Sequence, residues 1–365
     1  MPDTLPPLRF ASGQEQAFHR ALHQAARAYL QASGDHRYAS RFDQLKALFL
    51  LLLACGSYGV MLASSHDAVF FAGYFLAIAL SMLLNVVVNH DASHNVFFRK
   101  AWLNRLAGRV VTLPLGIEPE FWRLRHVRFH HLYANIEHYD LDTEENGFFR
   151  QTPFQRRHAY MRYQHLYWPM IAGLSLPWIA WVFDWSDRLG RTPLRQEREL
   201  ASTQGWCLFL LSKLGHVLLV LALPLWAAHA HGVATSTMLL AYVLSQMFAS
   251  LLVVYLLLGT HWAEADFFQA APGGVMEHGW YRHNFVTACD WETSPRWLNQ
   301  FTGGLNYHLT HHLFPGWHHR HYPALADRVA QLAHQHGMPY RRISYRELLA
   351  SQRRFLRRMG QEDAV

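Results

Sequence analysis

A chain of 365 residues, 51% hydrophobic, with 26 histidines and a net charge of +7, is long enough for two soluble domains. Its apolar residues are gathered into long runs rather than spread at helical period, which excludes that reading and indicates an integral membrane protein. Basic loops beside membrane spans account for the charge, so nucleic acid is not an expected partner. Only Lys46, Lys100 and Lys213 are lysines, an arginine bias that hints at a GC-rich bacterial genome. Cys55, Cys207 and Cys289 form no CxxC pair and imply no disulfide framework, which suits a site facing a reducing cytosol.

Residues 1–45 carry no signal-peptide hydrophobic region and read as a cytosolic amphipathic helix. Ser12 with Glu15 forms a capping box, Phe18, Leu22, Ala25, Ala26 and Tyr29 share one face, and Ser33-Gly34 closes the helix. Residues 46–322 form the membrane domain. Ala68–Asn89 is 22 residues without a charge, about 33 Å as a helix and enough to cross a bilayer core. Thr235–Thr260 is a 26-residue run of the same kind, and Ala47–Ser64 and Leu214–Ala230 are shorter spans. The predicted spans are thus about 47–64, 68–89, 214–231 and 235–260.

Residues 166–183 are apolar too, but Pro169 and Pro177 interrupt them and Trp168, Trp178 and Trp181 crowd the segment, with Trp185 just beyond it. Tryptophan favours the membrane interface, so this segment is read as an in-plane or re-entrant helix. Arginine and lysine are missing from the loops at residues 64–68 and 228–234 and plentiful in the N-terminal segment, in 99–162, in 188–198 and at the C-terminus. The positive-inside rule places those basic segments in the cytoplasm. Four spans then bring every histidine cluster to that face, and the expected location is a bacterial cytoplasmic membrane. Residues 323–365 form two soluble helices, the second capped by Ser344 and Glu347. Its Arg353, Arg354, Arg357 and Arg358 make a basic face suited to anionic lipid or to an acidic electron-donor protein.

Three histidine clusters carry the chemistry: His90-Asp91-Ala92-Ser93-His94, His126-Val127-Arg128-Phe129-His130-His131 and His308-Leu309-Thr310-His311-His312. On a helix, residues three or four apart share a face. His90 and His94 are therefore expected to aim together, as are His126 with His130, and His308 with His311 and His312, while His131 reaches a second metal. With His261 at the end of the fourth span, nine imidazoles are about right for two ions. Neutral imidazole suits iron, zinc, copper or nickel. Asp91, Glu137, Asp140, Asp142, Glu264 and Asp290 are the carboxylates that could orient rings and offset charge. Glu144 and Glu145 read as surface acids, and His158, His165, His216, His229 and His231 as packing or interfacial residues. His278 and His283 are candidates for lining a substrate entrance.

Taken together, Asn89 to His94, Trp122 to His131 with Tyr133-Ala134-Asn135, and Gly304-Leu305-Asn306-Tyr307-His308 on through Pro315 resemble the three boxes of membrane fatty acid desaturases. The likeness is greatest to the front-end, linoleoyl-CoA-desaturase-like branch. It implies an all-α membrane protein of four transmembrane helices with a cytosolic helical cap holding a di-iron site. It further implies an O2-dependent enzyme that introduces a cis double bond into a long acyl chain carried by CoA, acyl carrier protein or lipid. By motif match the iron ligands would be His90, His94, His126, His130, His131, His308, His311 and His312, joined by His261, with Asp91, Asp140, Asp142 and Asn306 around them. His319 and His321 have counterparts in the family but are not expected ligands.

Two departures from the family are visible. His308 stands where front-end members commonly have glutamine, and Ala271-Pro272-Gly273-Gly274 lacks the histidine of a fused cytochrome b5. A separate ferredoxin- or cytochrome b5-type donor is therefore expected. Acyl hydroxylation or acetylene formation on the same scaffold is the alternative outcome, and a histidine-rich metal transporter a remote one. A transporter would place its metal-binding residues within the spans.

Overall fold

Ser40 opens the first long apolar helix with a reciprocal cap: its hydroxyl accepts from the Asp43 N–H and the Asp43 carboxylate accepts from the Ser40 N–H. In the computed structural model, which describes residues 7–11, 15–192, 194, 202–257, 259–263 and 265–361, this cap starts the helix at Arg41. That is six residues before the apolar run at Ala47. Four helices are long and apolar enough to cross a membrane: Arg41–Ala63, Asp67–Ser93, Thr203–His231 and Thr235–Trp262. The first and third begin before the expected runs at 47 and 214, and the second and fourth continue past 89 and 260. Mostly helical, with only two short two-stranded pairs among the described residues, the chain is an all-α membrane protein.

Two compact units divide the chain. One comprises Ala39–Leu124 and Pro169–Val254 and holds nearly all of the spans. Here Phe42, Leu45, Phe49 and Leu52 of the first span stay outward, where only hydrocarbon would satisfy them. Its inner face meets the second span at Gly73, where a Cβ would stand 2.9 Å from the Ser57 carbonyl oxygen. A small residue at such a crossing lets two helices approach closely in lipid.

The third span begins at Thr203, earlier than the apolar run indicated, and so takes in Lys213. Its ammonium donates to Asp184 Oδ2 at 2.8 Å and to the Gly116 carbonyl at 2.6 Å, while the same carboxylate oxygen accepts the Glu118 N–H at 2.8 Å. A buried charge survives in such surroundings only when paired in this way. The segment around residues 166–183 forms two helices, Ala159–Ala172 and Ser175–Arg188, bent by 71° at the break between them. Each half is about 21 Å long, short of the ~30 Å hydrocarbon core.

The other unit comprises Met1–Tyr38, Arg125–Trp168 and Tyr255–Val365. The helix Gln16–Ser33 lays Phe18, Leu22 and Ala26 on Phe285, Leu313, Tyr322, Leu325 and Val329, as its sequence stripe predicted. It ends at Gly34 in the left-handed conformation, φ 59°, where glycine carries no Cβ penalty. Ser12, the predicted cap partner, lies outside the described residues. Tyr322–His336 stops at Gly337, and Tyr345–Gln361 starts from Ser344, whose hydroxyl accepts the Glu347 N–H. A parallel pair, Asp290–Glu292 with Arg342–Ser344, ties this C-terminal region to the strand leading into the third histidine cluster.

Candidate metal centre

His130, His261, His308 and His312 converge in the second unit, their donor atoms all within 4.8 Å of one another and every residue buried. His308 and His312 stand one turn apart on the short helix His308–Leu313. Asp290 anchors that helix, accepting the Thr310 N–H at 3.1 Å and the Thr310 hydroxyl at 2.6 Å, with the Tyr340 hydroxyl at 2.9 Å. His261 closes the fourth span, and His130 ends a π-helical stretch, Arg125–His130.

Hydrogen bonds on the outer ring nitrogens decide which way the imidazoles face. The His261 Nδ1–H donates to the Thr287 carbonyl at 2.9 Å, and the His312 Nδ1–H to Asn284 Oδ1 at 2.9 Å. The amide of Asn284 is itself fixed, since its NH2 donates to the Trp280 carbonyl. The Tyr322 hydroxyl gives its proton to the Trp317 carbonyl, so it accepts from His311 Nδ1 at 2.8 Å. His130 Nδ1 donates to Asp140 Oδ1 at 3.1 Å. In His261, His311 and His312 this leaves Nε2 as an unprotonated donor, the tautomer that binds a metal, and His130 reaches the same form once its Nε2 proton is displaced. His308 Nε2 lies 2.7 Å from His261 Nε2 and 3.2 Å from His312 Nε2. Lone pairs brought this close repel unless a cation or proton lies among them, so the donor set fits a transition metal.

Asp140 is the most heavily braced group in the site. Besides His130 it accepts the Asn135 N–H at 2.9 Å and the Asp142 N–H at 3.1 Å. Asn135 adopts a positive φ of 57° and sends its amide to the carbonyls of His261 and Asp266, both at 3.1 Å. The loop after the second cluster is thereby tied to the end of the fourth span. Burial works against a charge on His130, but Asp140 and Asp142 outweigh it and push the metal-free imidazole up to about 9. Burial works against the Asp140 carboxylate too, yet His130 and the Asn135 N–H hold it below its ordinary value. His312 lies well below the ordinary histidine value, chiefly from burial and then from the neighbouring imidazoles, and stays neutral.

Two expected groupings change: His311 stacks on His126 instead of joining His308 and His312 in their cluster, and the π-helical turn alters the second. The spacing of four predicts that His126 and His130 aim together; their rings do stack, 5.7 Å apart, but His130 belongs with His261, His308 and His312. At a wider helical period it is the residue five positions on that returns to the same face. His126 Nε2 accordingly meets His131 Nε2 at 3.1 Å. The His126 ring also stacks on His311 at 5.7 Å and 9°, and His131 lies between His311 and His312 at 4.5 and 4.3 Å. Seven of the nine predicted histidines are thus packed together in this unit. In the other unit, His90 and His94 follow the π-helical stretch Asn85–Asn89, with ring centroids 5.5 Å apart.

Of the expected supporting residues, Asp140 contacts a ring nitrogen directly and Asp142 lies 3.6 Å from His130 Nδ1. Asp91 is buried beside His90, and its carbonyl accepts the Val96 N–H. Asn306 bonds to Thr302, Asn299 and the Trp291 carbonyl, bracing the loop that leads into the third cluster. Glu137 accepts from Gln269, and Glu264 lies outside the described residues. His283 is buried, giving its Nε2–H to the Ala134 carbonyl at 2.7 Å and facing His278 at 2.9 Å. Arg353, Arg354, Arg357 and Arg358 are exposed along the C-terminal helix. The roles of Asn284, Thr287 and Tyr322, which orient three of the rings, were not legible in the sequence.

Apolar spans together with a buried all-imidazole cluster define a membrane protein built around a metal centre. The fatty acid desaturase profile matches residues 65–344, and the chain belongs to that family. It is similar to the sn-1 linoleoyl-lipid 6-desaturase of Synechocystis, with 29% identity over 95% of this chain and 96% of that one. It is also similar to the acyl-lipid (8-3)-desaturase of Physcomitrium patens, at 26% over 91% of this chain and 69% of the relative. Delta(5) fatty acid desaturase A of Dictyostelium discoideum shares 26% over 96% of this chain and 76% of its own. The chain is accordingly an oxidoreductase that desaturates fatty acyl chains.

Proposed function

We propose that the nine histidines hold two iron ions, one of them at His130, His261, His308 and His312. The convergence of four buried Nε2 donors carries this reading. Bound iron with O2 supplies the oxidising power to break an unactivated C–H bond, which no side chain here could supply. The chain's own part is to hold neutral imidazoles in fixed tautomers, with Asp140, Thr287, Asn284 and Tyr322 as outer partners. The substrate is a long acyl chain, and the names of the relatives favour one esterified in a lipid over acyl-CoA or acyl carrier protein. The product carries a new cis double bond, O2 leaves as water, and a separate ferredoxin- or cytochrome b5-type protein delivers the electrons.

Expression in a host without this activity, followed by gas chromatography–mass spectrometry with double-bond localisation under labelled O2, tests the assignment. The expected product is two hydrogens lighter and free of label. A dominant alcohol carrying one labelled oxygen would make the protein a hydroxylase, and a new triple bond an acetylenase.

Orientation follows from the charge pattern: the basic segments and the metal centre face the cytoplasm of a bacterial inner membrane. The bent pair at residues 159–188 lies in the plane of the membrane on this reading, because a fifth crossing would reverse the side on which His261 emerges. In a background lacking Cys55 and Cys207, single cysteines at Ser65 and Thr235 should react with an impermeant reagent from outside. Those at Gly147 and Gly190 should react only after permeabilisation. Labelling of Gly190→Cys from outside would make the bent pair a crossing and overturn this topology.

A further inference from the structure

The helix Tyr345–Gln361 buries Leu348, Phe355, Leu356 and Met359 and turns a row of arginines outward. Its last turns are clamped to the segment around residues 150–164. Gln164 Nε2 donates to the Leu356 carbonyl at 2.9 Å and Arg150 Nη1 to the Met359 carbonyl at 3.1 Å. Arg150 is itself buried and also donates to the carbonyls of Thr152 and Pro153.

This docking sets the arginine row beside a second exposed feature. Tyr160, Tyr163 and Leu166 are 50%, 54% and 61% exposed, and Arg162 lies over the Tyr163 ring at 5.2 Å. His165, between them, lies in the field of both Arg353 and Arg357. Among the described residues Arg162, Arg353 and Arg357 are in no ion pair, whereas Arg354 is neutralised by Glu347 at 2.6 Å. Unneutralised guanidiniums beside exposed tyrosines and a leucine are the composition of a surface that meets the headgroup layer. Tyrosine rings settle at that depth, an aliphatic side chain reaches the acyl boundary, and arginine meets phosphate. An acidic protein would answer the charge but leave Leu166 and both tyrosines without an apolar partner.

We infer that Arg162, Arg353 and Arg357, with Tyr160, Tyr163 and Leu166, form a docking surface for anionic phospholipid headgroups at the bilayer surface. This surface is independent of the reaction catalysed. It gives the C-terminal helix a role in seating its unit on the membrane, and that role depends on lipid composition.

The test uses the full purified chain, exchanged from mixed detergent micelles containing equal phosphatidylglycerol and phosphatidylcholine, with retained lipid measured by mass spectrometry. The native protein should retain phosphatidylglycerol preferentially. Each of Arg162→Gln, Arg353→Gln and Arg357→Gln should reduce that preference by about five-fold, the equivalent of one cation near an anionic surface. The corresponding lysine variants should keep most of it, and Arg354→Gln should change it little. Equal retention of the two lipids by the native chain overturns the proposal without reference to any variant. So does a triple glutamine variant with unchanged lipid preference but a raised KM for an acidic electron-donor protein, which would assign the surface to that donor.

Discussion

Replacing His308 with alanine should leave the protein folded in the membrane yet lower acyl desaturation by more than the roughly 100-fold that loss of an outer partner of a metal ligand costs. His308 is fully buried, and its Nε2 lies between His261 at 2.7 Å and His312 at 3.2 Å. Alanine removes the central donor of the four and leaves a void walled by imidazoles. A weakly held water is a poor substitute there for a neutral nitrogen of fixed direction. Bound iron should fall from about two atoms per chain toward one, read by elemental analysis of purified protein alongside the acyl product profile. His334→Ala, on an exposed face of the helix Tyr322–His336, is the control and should alter neither. Retention of both iron and turnover by His308→Ala would remove His130, His261, His308 and His312 from the centre.

What the sequence revealed about this site and what it concealed divide along a physical line. Spans are legible because lipid demands long uninterrupted apolar runs, and histidine pairs because helical spacing is local. The first span starts earlier than its apolar run because a cap at Ser40 and Asp43, with outward Phe42 and Leu45, begins the helix first. Lys213 disappears into the third span because Asp184, far away in sequence, neutralises it. Asn284 gives no signal, and Tyr322, though part of a family-like motif, gives none of its role; both acquire meaning only when folding brings them to His312 and His311. The exchange of partners among His126, His130 and His131 depends on a π-helical turn, which spacing rules built on the α-helix do not foresee.

Asp140→Asn should cost about 10–100-fold in iron affinity or turnover while leaving the position of the new double bond unchanged. The native carboxylate accepts from three directions: His130 Nδ1, the Asn135 N–H and the Asp142 N–H. Asparagine keeps one acceptor oxygen and turns an NH2 toward donors that have nothing to accept, so one of the three contacts is lost. The negative charge that draws the His130 proton to Nδ1 is lost too. The pH behaviour gives the variant a distinct signature. In the metal-free native protein His130 is pushed up to about 9 by Asp140 and Asp142 against the opposing effect of burial. Its stabilising contribution is therefore fully present below the unfolded value near 6.5 and is lost as pH rises through about 9. Metal uptake runs the other way, because iron must displace the proton on Nε2. Loading of metal-free protein should strengthen as pH rises toward about 9 and release a proton for each His130 engaged. In Asp140→Asn the loading curve should move to lower pH and the alkaline loss of stability should shrink. Stopped-flow uptake with a pH indicator, paired with thermal unfolding across pH 6–9, measures both. A variant with native loading midpoint and native iron content would show that Asp140 braces the loop without governing His130.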